Sequence, residues 1–183
     1  YKIMKSYISI LISSIAIIFI SNCGKISSET DKNKFVFLSN RDSPKGEFDI
    51  FLSDLYDTNQ INLTKDIQFI TSISKPILSP DKKYISYISF NKNLTSLRLI
   101  DLETKEDIHL SNLNIDEAYA SFVKGGDKIL FTKKIKNVMQ LFMIDINGQN
   151  EKNISSTNNN EYKARISLNN RILVFLRKVN KNT

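Results

Sequence analysis

The sequence predicts an all-β fold made of repeated units of short antiparallel strands. Three observations support this prediction: a strand–turn–strand segment recurs, its copies are spaced by about 45 residues, and apolar residues alternate with polar ones inside it. The clearest copy is Lys75–Ser89, in which an apolar run leads into a Ser-Pro-Asp turn and then an alternating run. Weaker copies are Ala120–Phe131 and Ala164–Phe175. The chain is therefore interpreted as a repeat protein.

The turn in the clearest copy is predicted from Pro80 and its two neighbours. Proline has its φ angle preset for the second position of a turn, and the side chains of Ser79 and Asp81 can bond nearby backbone groups. The following residues, Tyr84–Phe90, are rich in aromatic and β-branched side chains. Such side chains fit a pleated surface, so this run is predicted to be a strand.

Four units follow one another, and each strand is predicted from an apolar run bounded by turn residues. The first unit has strands at 35–39, 48–55 and 60–64, and the second at 75–78, 84–90, 96–102 and 107–111. The third runs from 119 through 128–132 and 140–146 to about 152–155. Asn147-Gly148 marks the hairpin turn before its last strand, because this dipeptide favours tight hairpins. The fourth unit has only 163–166 and 171–176.

An aspartate closes the third strand of each of the first three units. Asp54, Asp101 and Asp145 are spaced by 47 and 44 residues, and each precedes a turn. Their carboxylates are predicted to accept hydrogen bonds from the backbone amides that follow. A calcium site at 145–148 is the alternative, but this loop lacks the further acidic ligands and the terminal Glu of such a site. The turn role is therefore favoured.

Basic residues after the recurring turns give a second measure of the repeat. Lys83, Lys128 and Arg171 are spaced by 45 and 43 residues. A repeat of about 40–50 residues with four strands is typical of a β-propeller blade. The first unit lacks its initial strand and the fourth has only two. The predicted fold is thus an incomplete β-propeller of four-stranded antiparallel blades, about three and a half blades within residues 34–183.

A known family shares these motifs. The segment KPILSPDKKYISYIS, followed after a gap by SLRLIDL, resembles the WD40-like repeat of the TolB propeller family. In that family an SPDG turn leads into a strand, and a later strand of the type IYVMDLDG follows. This chain has Lys82-Lys83 where Gly-Lys is common, and its third and fourth units lack the Pro-Asp pair. The resemblance covers about residues 34–178 and implies the fold, whereas propellers serve many unrelated functions.

Residues 1–22 are predicted to be a lipoprotein signal peptide. Lys5 precedes an apolar run at 8–20, which is shorter than the roughly 20 residues that a membrane-spanning helix needs. The segment Ile20–Gly24 resembles a bacterial lipobox, which implies removal of the preceding residues and acylation of Cys23 with fatty acids such as palmitate. Asn22 departs from the Gly or Ala usual before the cysteine. The alternative is a secreted protein with an incidental cysteine in its leader.

The residues after the predicted acylation site are polar. Residues 23–33 are interpreted as a lipidated flexible tether between the anchor and the propeller. The predicted location is the bacterial cell envelope, with the protein anchored to a membrane on the periplasmic side or at the cell surface. Because the chain starts at Tyr1 and ends abruptly at Thr183, we expect a fragment or a truncated gene product. A short chain that completes its ring by association is the alternative.

The sequence offers no recognisable catalytic set. His109 is the only histidine and Cys23 the only cysteine, which argues against a His/Cys metal site. No G-x-S-x-G motif accompanies His109, and five glycines do not form a phosphate-binding loop. The carboxylate groups at 103, 106 and 107 and at 116–117 are interpreted as solvated loop charges. We therefore predict no enzyme activity, no catalytic, metal or cofactor-binding residue, and no cofactor.

Charge and composition leave two hypotheses for function. The net charge is +7, but the lysines are scattered, so no basic stripe for nucleic acid is predicted. The first hypothesis is a membrane-anchored, non-catalytic propeller that binds a protein or glycan partner. The alternative is the substrate-gating propeller of a larger hydrolase, such as a serine peptidase, whose catalytic domain lies outside these 183 residues. The oligomeric state and the identity of the partner stay open.

Overall fold

The fold is a series of antiparallel sheets built from local hairpins. The structure is a computed structural model that describes residues 33–43, 46–56, 59–67, 72–92, 94–114, 119–155, 157–167 and 169–178. The predicted signal peptide, Cys23, most of the tether and the acidic pair Asp116 and Glu117 lie outside these residues.

Thirteen strands occur in the described ranges, and they form four sheets. The first sheet has the order β1-β2-β3, with β1 at Lys34–Ser39, β2 at Asp49–Asp54 and β3 at Ile61–Asn62. The second has the order β4-β5-β6-β7, at Ser72–Leu78, Tyr84–Asn91, Leu94–Asp101 and Asp107–Asn112. The third has β8 (Ala120–Phe122), β9 (Lys128–Ile135), β10 (Val138–Asp145) and β11 (Lys152–Asn153), and the fourth has β12 (Asn160–Ile166) and β13 (Leu173–Lys178). These sheets are the predicted blades, which we number 1 to 4.

The blades pack face to face, and because successive residues of a strand point to opposite faces, one strand can contact two neighbouring blades. On β5, Ile85 and Tyr87 join an apolar core shared with blade 1, whereas Ile88 joins a core shared with blade 3. On β9, Phe131 joins the core between blades 2 and 3, and its neighbour Leu130 joins the core with blade 4. Three cores thus lie at the three blade interfaces, and each interior strand of blades 2 and 3 contributes to two of them.

The tight turn before the second strand of a blade repeats at an interval of 44 residues. The backbone amides of Ser79, Val123 and Ser167 each donate to the carbonyl five residues ahead, at 2.8–2.9 Å. Position 84 is therefore equivalent to 128 and 172. The alignment of Lys83 with Lys128 was wrong by one residue, because the backbone bond of the turn, and not the charge that follows it, sets the register.

Two hairpins differ from the sequence prediction in detail. Asn147-Gly148 does lie in a turn, but only Gly148 has a positive φ, of 78°, and its amide donates to the carbonyl of Asp145. The connection to β11 is consequently longer than a two-residue hairpin. The tighter hairpin joins β9 to β10 through Lys136 and Asn137, whose φ values of 47° and 69° are those of a type I′ turn.

The outermost faces of blades 1 and 4 carry apolar side chains. On blade 1, Phe35, Phe37 and Phe51 stack with ring centroids 5.6–5.7 Å apart, and the guanidinium of Arg41 lies over two of the rings. On blade 4, three exposed apolar residues alternate along the last strand and just before it: Ile172, Val174 and Leu176. These faces bury fewer apolar groups than the faces between blades.

Candidate functional site

The sequence singled out one histidine and one cysteine. Cys23 lies outside the described residues, so its chemistry stays a prediction. His109 lies in β7, the outer strand of blade 2, where its side chain is exposed and Nε2 is 2.9 Å from Oδ1 of Asn112. In the described ranges no group of three or more His, Cys, Asp or Glu side chains is arranged to hold a metal ion.

The three recurring turns form a surface that we call the turn face, defined by residues 79–84, 123–128, 167 and 169–172. Their sequences differ, yet each has a positive φ at its fourth position: 60° at Lys82, 76° at Gly126 and 56° at Asn170. Ser79 supports its turn by accepting bonds at Oγ from the amides of Lys83 and Tyr84, at 3.2 and 3.0 Å. The third turn repeats this support through Ser167, whereas the second relies on two glycines.

Neighbouring turns contact one another across the blade boundaries. The backbone of Gly126 is packed against the side chain of Asp81, so that a Cβ at 126 would lie 3.2 Å from the Cγ atom of Asp81. The amide of Lys124 donates to Oδ1 of Asn170 at 3.4 Å. The turn face is therefore one continuous surface that crosses three blades.

Charged side chains of both signs are exposed on the turn face. Its exposed cations are Lys83, Lys124 and Arg171, and its exposed anions are Asp81 and Asp127. Because the backbone of these turns is fixed on packed sheets, less conformational entropy is lost when a partner binds to the charged side chains. The turn face thus offers positions for recognising a polar, charged partner.

The aspartates that close the third strands have two roles. Asp54 Oδ1 accepts a bond from the amide of Tyr56 at 3.0 Å, and Asp101 Oδ1 accepts one from the amide of Glu103 at 2.8 Å, as predicted. The prediction was wrong for Asp145, whose carboxylate is bonded instead by the side chains of Asn150 and Lys128. These bonds, first that from Asn150, lower the pKa of Asp145 below its usual range.

A partly buried polar network joins three strands of blade 2. The guanidinium of Arg98 on β6 forms an ion pair with the carboxylate of Asp107 on β7. Two of its nitrogens donate to Oδ2 of Asp107, Nη2 at 2.7 Å and Nε at 3.0 Å. The hydroxyl of Tyr87 on β5 donates to Asp107 Oδ1 at 2.8 Å. Burial and then the charge of Asp107 raise the pKa of Tyr87 well above its usual value. The network orders the blade and presents no reactive group.

A second polar cluster links blades 2 and 3. Lys133 Nζ donates to Glu151 Oε1 at 2.5 Å and to Ser111 Oγ at 3.1 Å, while Ser111 donates to Glu151 Oε2 at 2.5 Å. A serine beside a lysine can be a nucleophile and its base. Here the ammonium donates to both neighbours, whereas a base must accept a proton from the serine. The contacts fit a link between blades.

Sequence reasoning missed these polar clusters, and the interpretation of Asp107 as a solvated loop charge was wrong, because this residue begins β7 and its carboxylate is paired with Arg98. Arg98 and Asp107 lie nine residues apart on neighbouring strands, so a correct hairpin register could have found them. Lys133 and Ser111 are 22 residues apart and belong to different blades, and no local pattern joins them.

The described part of the chain contains no helix that is long and apolar enough to cross a membrane. No protein-family model matches the chain. No curated protein matches it either. Comparison with solved structures, however, finds similar folds.

Three of the similar structures are two TolB proteins and a protease. A protein assigned as TolB from Agrobacterium tumefaciens matches 81% of this chain and 51% of its own, with a TM-score of 0.64 and 15% identity. TolB from Acinetobacter baumannii matches 80% of this chain and 36% of its own, with a TM-score of 0.59 and 18% identity. The tricorn protease matches 79% of this chain and 14% of its own, with a TM-score of 0.62 and 11% identity.

These similarities define the fold class. The chain is an all-β protein with the fold of a partial TolB-like β-propeller, as the sequence predicted. It spans about half the length of the first of these proteins, 51%, and less of the other two. At 11–18% identity the similarity shows the fold and assigns no activity.

Proposed function

We propose that this chain is a propeller lipoprotein of the bacterial envelope, acylated at Cys23, which binds a protein or glycan partner through the turn face and catalyses nothing. The observation that carries the binding role is the continuity of three turns, from Asp81 against Gly126 to Lys124 bonded to Asn170, with exposed charges of both signs. The lipobox-like segment ending at Cys23 supports the anchor and the envelope location. No cofactor, metal or nucleic acid takes part in the proposed function.

The anchor is tested by growing the bacterium with an alkyne analogue of palmitate and measuring the intact mass of the membrane-bound protein. We expect label on the native chain and none on the Cys23→Ser variant, because the chain has no other cysteine. Native protein that carries no label, or a labelled Cys23→Ser variant, would contradict acylation at Cys23.

The binding face is tested by charge reversal at exposed turn residues. A variant with Lys83→Glu and Lys124→Glu should lose partners that the native protein captures from envelope extracts or glycan arrays. The matched control is Lys92→Glu with Lys136→Glu, since both lysines are exposed on hairpins at the opposite ends of the strands. Equal capture by both variants would argue against the turn face.

A second candidate function is the propeller of a larger hydrolase. The similarity to the tricorn protease, at a TM-score of 0.62, favours it, because that match covers 79% of this chain but only 14% of the protease. Peptides mapped beyond Thr183 in the native protein would test this candidate. A following domain with a G-x-S-x-G serine would support it, and a stop after a few more blades would support the binding module.

A further inference from the structure

Tyr56 is the most exposed large apolar residue in the part of the chain that the structure describes. Its side chain is 85% exposed, and that of its neighbour Leu55 is 68% exposed. Both residues follow Asp54 in the turn that leads from β2 to β3. The amide of Tyr56 donates to the carboxylate of Asp54 at 3.0 Å, which fixes the backbone where this turn begins.

The blade repeat shows that Tyr56 is the unusual residue of the two. Leu55 corresponds to Leu102 and Ile146, which are half-buried and pack on the cores between blades. An apolar residue at this position therefore belongs to the repeat. Tyr56 corresponds to Glu103 and Asn147, which are polar and exposed. The packing of the blades gives no reason for an aromatic side chain at this position.

The position of Tyr56 suggests what it contacts. Lys34 begins β1 and is paired with Asp54, so the chain enters blade 1 at the same end of the sheet as the Tyr56 turn. Ten residues separate Lys34 from Cys23. Ten residues can span at most about 35 Å, the length of a fully extended chain. An acyl anchor at Cys23 would therefore keep this end of blade 1 near the membrane surface.

We propose that Tyr56 inserts into the headgroup region of the bilayer that holds the anchor and turns this end of blade 1 towards the membrane. Tyrosine suits this region because its ring is apolar and its hydroxyl stays hydrated. The contact can be weak on its own, since the anchor raises the local concentration of lipid around it. This inference rests on the proposed acylation of Cys23.

The same end of blades 2 and 3 carries the turn face, because Tyr84 pairs with Asp101 and Lys128 with Asp145 as Lys34 pairs with Asp54. The partner of the proposed function is then one that is held at the membrane surface.

The test uses the fact that the chain contains no tryptophan. In Tyr56→Trp the emission reports one position and keeps an aromatic side chain at it. The matched control is Phe48→Trp, because Phe48 is also aromatic, is 48% exposed, and stands just before β2 at the opposite end of the same strand. The two positions are separated by roughly 20 Å.

Both full-length, acylated variants are reconstituted into vesicles of phosphatidylethanolamine and phosphatidylglycerol and recovered by flotation. We expect the emission of Tyr56→Trp to shift to shorter wavelength and to be quenched by brominated lipid, and the emission of Phe48→Trp to be quenched only by aqueous iodide. Protein that floats with both tryptophans open to iodide, or with both quenched by lipid, would overturn the oriented contact and leave the anchor standing. Protein that carries no acyl group and does not float would overturn both proposals.

Discussion

Gly126 is the position at which the repeated turn depends most on glycine. Its φ of 76° is in the left-handed region, and a Cβ there would lie 3.2 Å from Cγ and Oδ1 of Asp81. For Gly126→Ala the left-handed conformation costs about 1–2 kcal/mol, and the close contact adds to this. Alanine offsets about 0.4–1 kcal/mol by restricting the unfolded chain. We therefore expect a net loss of about 1–2 kcal/mol in the free energy of unfolding.

Urea unfolding followed by circular dichroism measures this loss. The midpoint should fall with little change in the slope of free energy against urea, and the melting temperature should fall by about 2–8 °C for a domain of this size. Gly125→Ala is the matched control, because Gly125 lacks a positive φ. Its added Cβ would lie 2.8 Å from Oδ1 of Asp127, but this carboxylate is the end of an exposed side chain that can rotate away into solvent. That variant should be close to native in stability.

Two results would refute this reasoning. One is a Gly126→Ala protein as stable as the native chain, and the other is an equal loss for Gly125→Ala. A double-mutant cycle with Asp81→Ala separates the two causes. If the contact matters, the cost of Gly126→Ala becomes smaller when Asp81 is replaced, and the part that remains belongs to the backbone conformation.

Three further substitutions test the polar contacts of blades 2 and 3. Arg98→Met should destabilise the fold by about 1–3 kcal/mol, because it leaves the mostly buried carboxylate of Asp107 without its cation. Tyr87→Phe should cost only about 1 kcal/mol, since Arg98 still binds Asp107, and equal losses in urea unfolding would contradict this order. Asp145→Asn should reduce stability at pH 7, and its difference from the native chain should shrink as the pH falls below about 4. Asn150 and Lys128 lower the pKa of Asp145 in the folded protein. The ionised carboxylate therefore stabilises the fold above the unfolded pKa, and this stabilisation is lost as acid protonates Asp145. A difference in stability that stays constant down to about pH 2 would contradict this.

The strands and their order were predictable because each blade is built from local hairpins. Apolar alternation with period two and turn residues at regular intervals specify strands such as Tyr84–Asn91, whose partner Leu94–Asp101 follows after two residues. The tight turns were predictable where Ser, Pro, Asp, Asn or Gly supplied the needed φ angles and side-chain bonds. The hairpin at Lys136-Asn137 was missed, because a lysine at positive φ gives no such signal.

The sequence by itself determined the class of fold, the blade repeat and the absence of a recognisable catalytic motif, since all three depend on residues close together along the chain. Only the tertiary structure decided which side chains meet across blades. Asp81 against Gly126, and Lys133 with Ser111, join residues of different blades, and their contacts are set by the packing of one sheet on the next. The exposure of Tyr56 was likewise settled by packing, because sequence alternation does not reveal which apolar residues find a neighbouring blade.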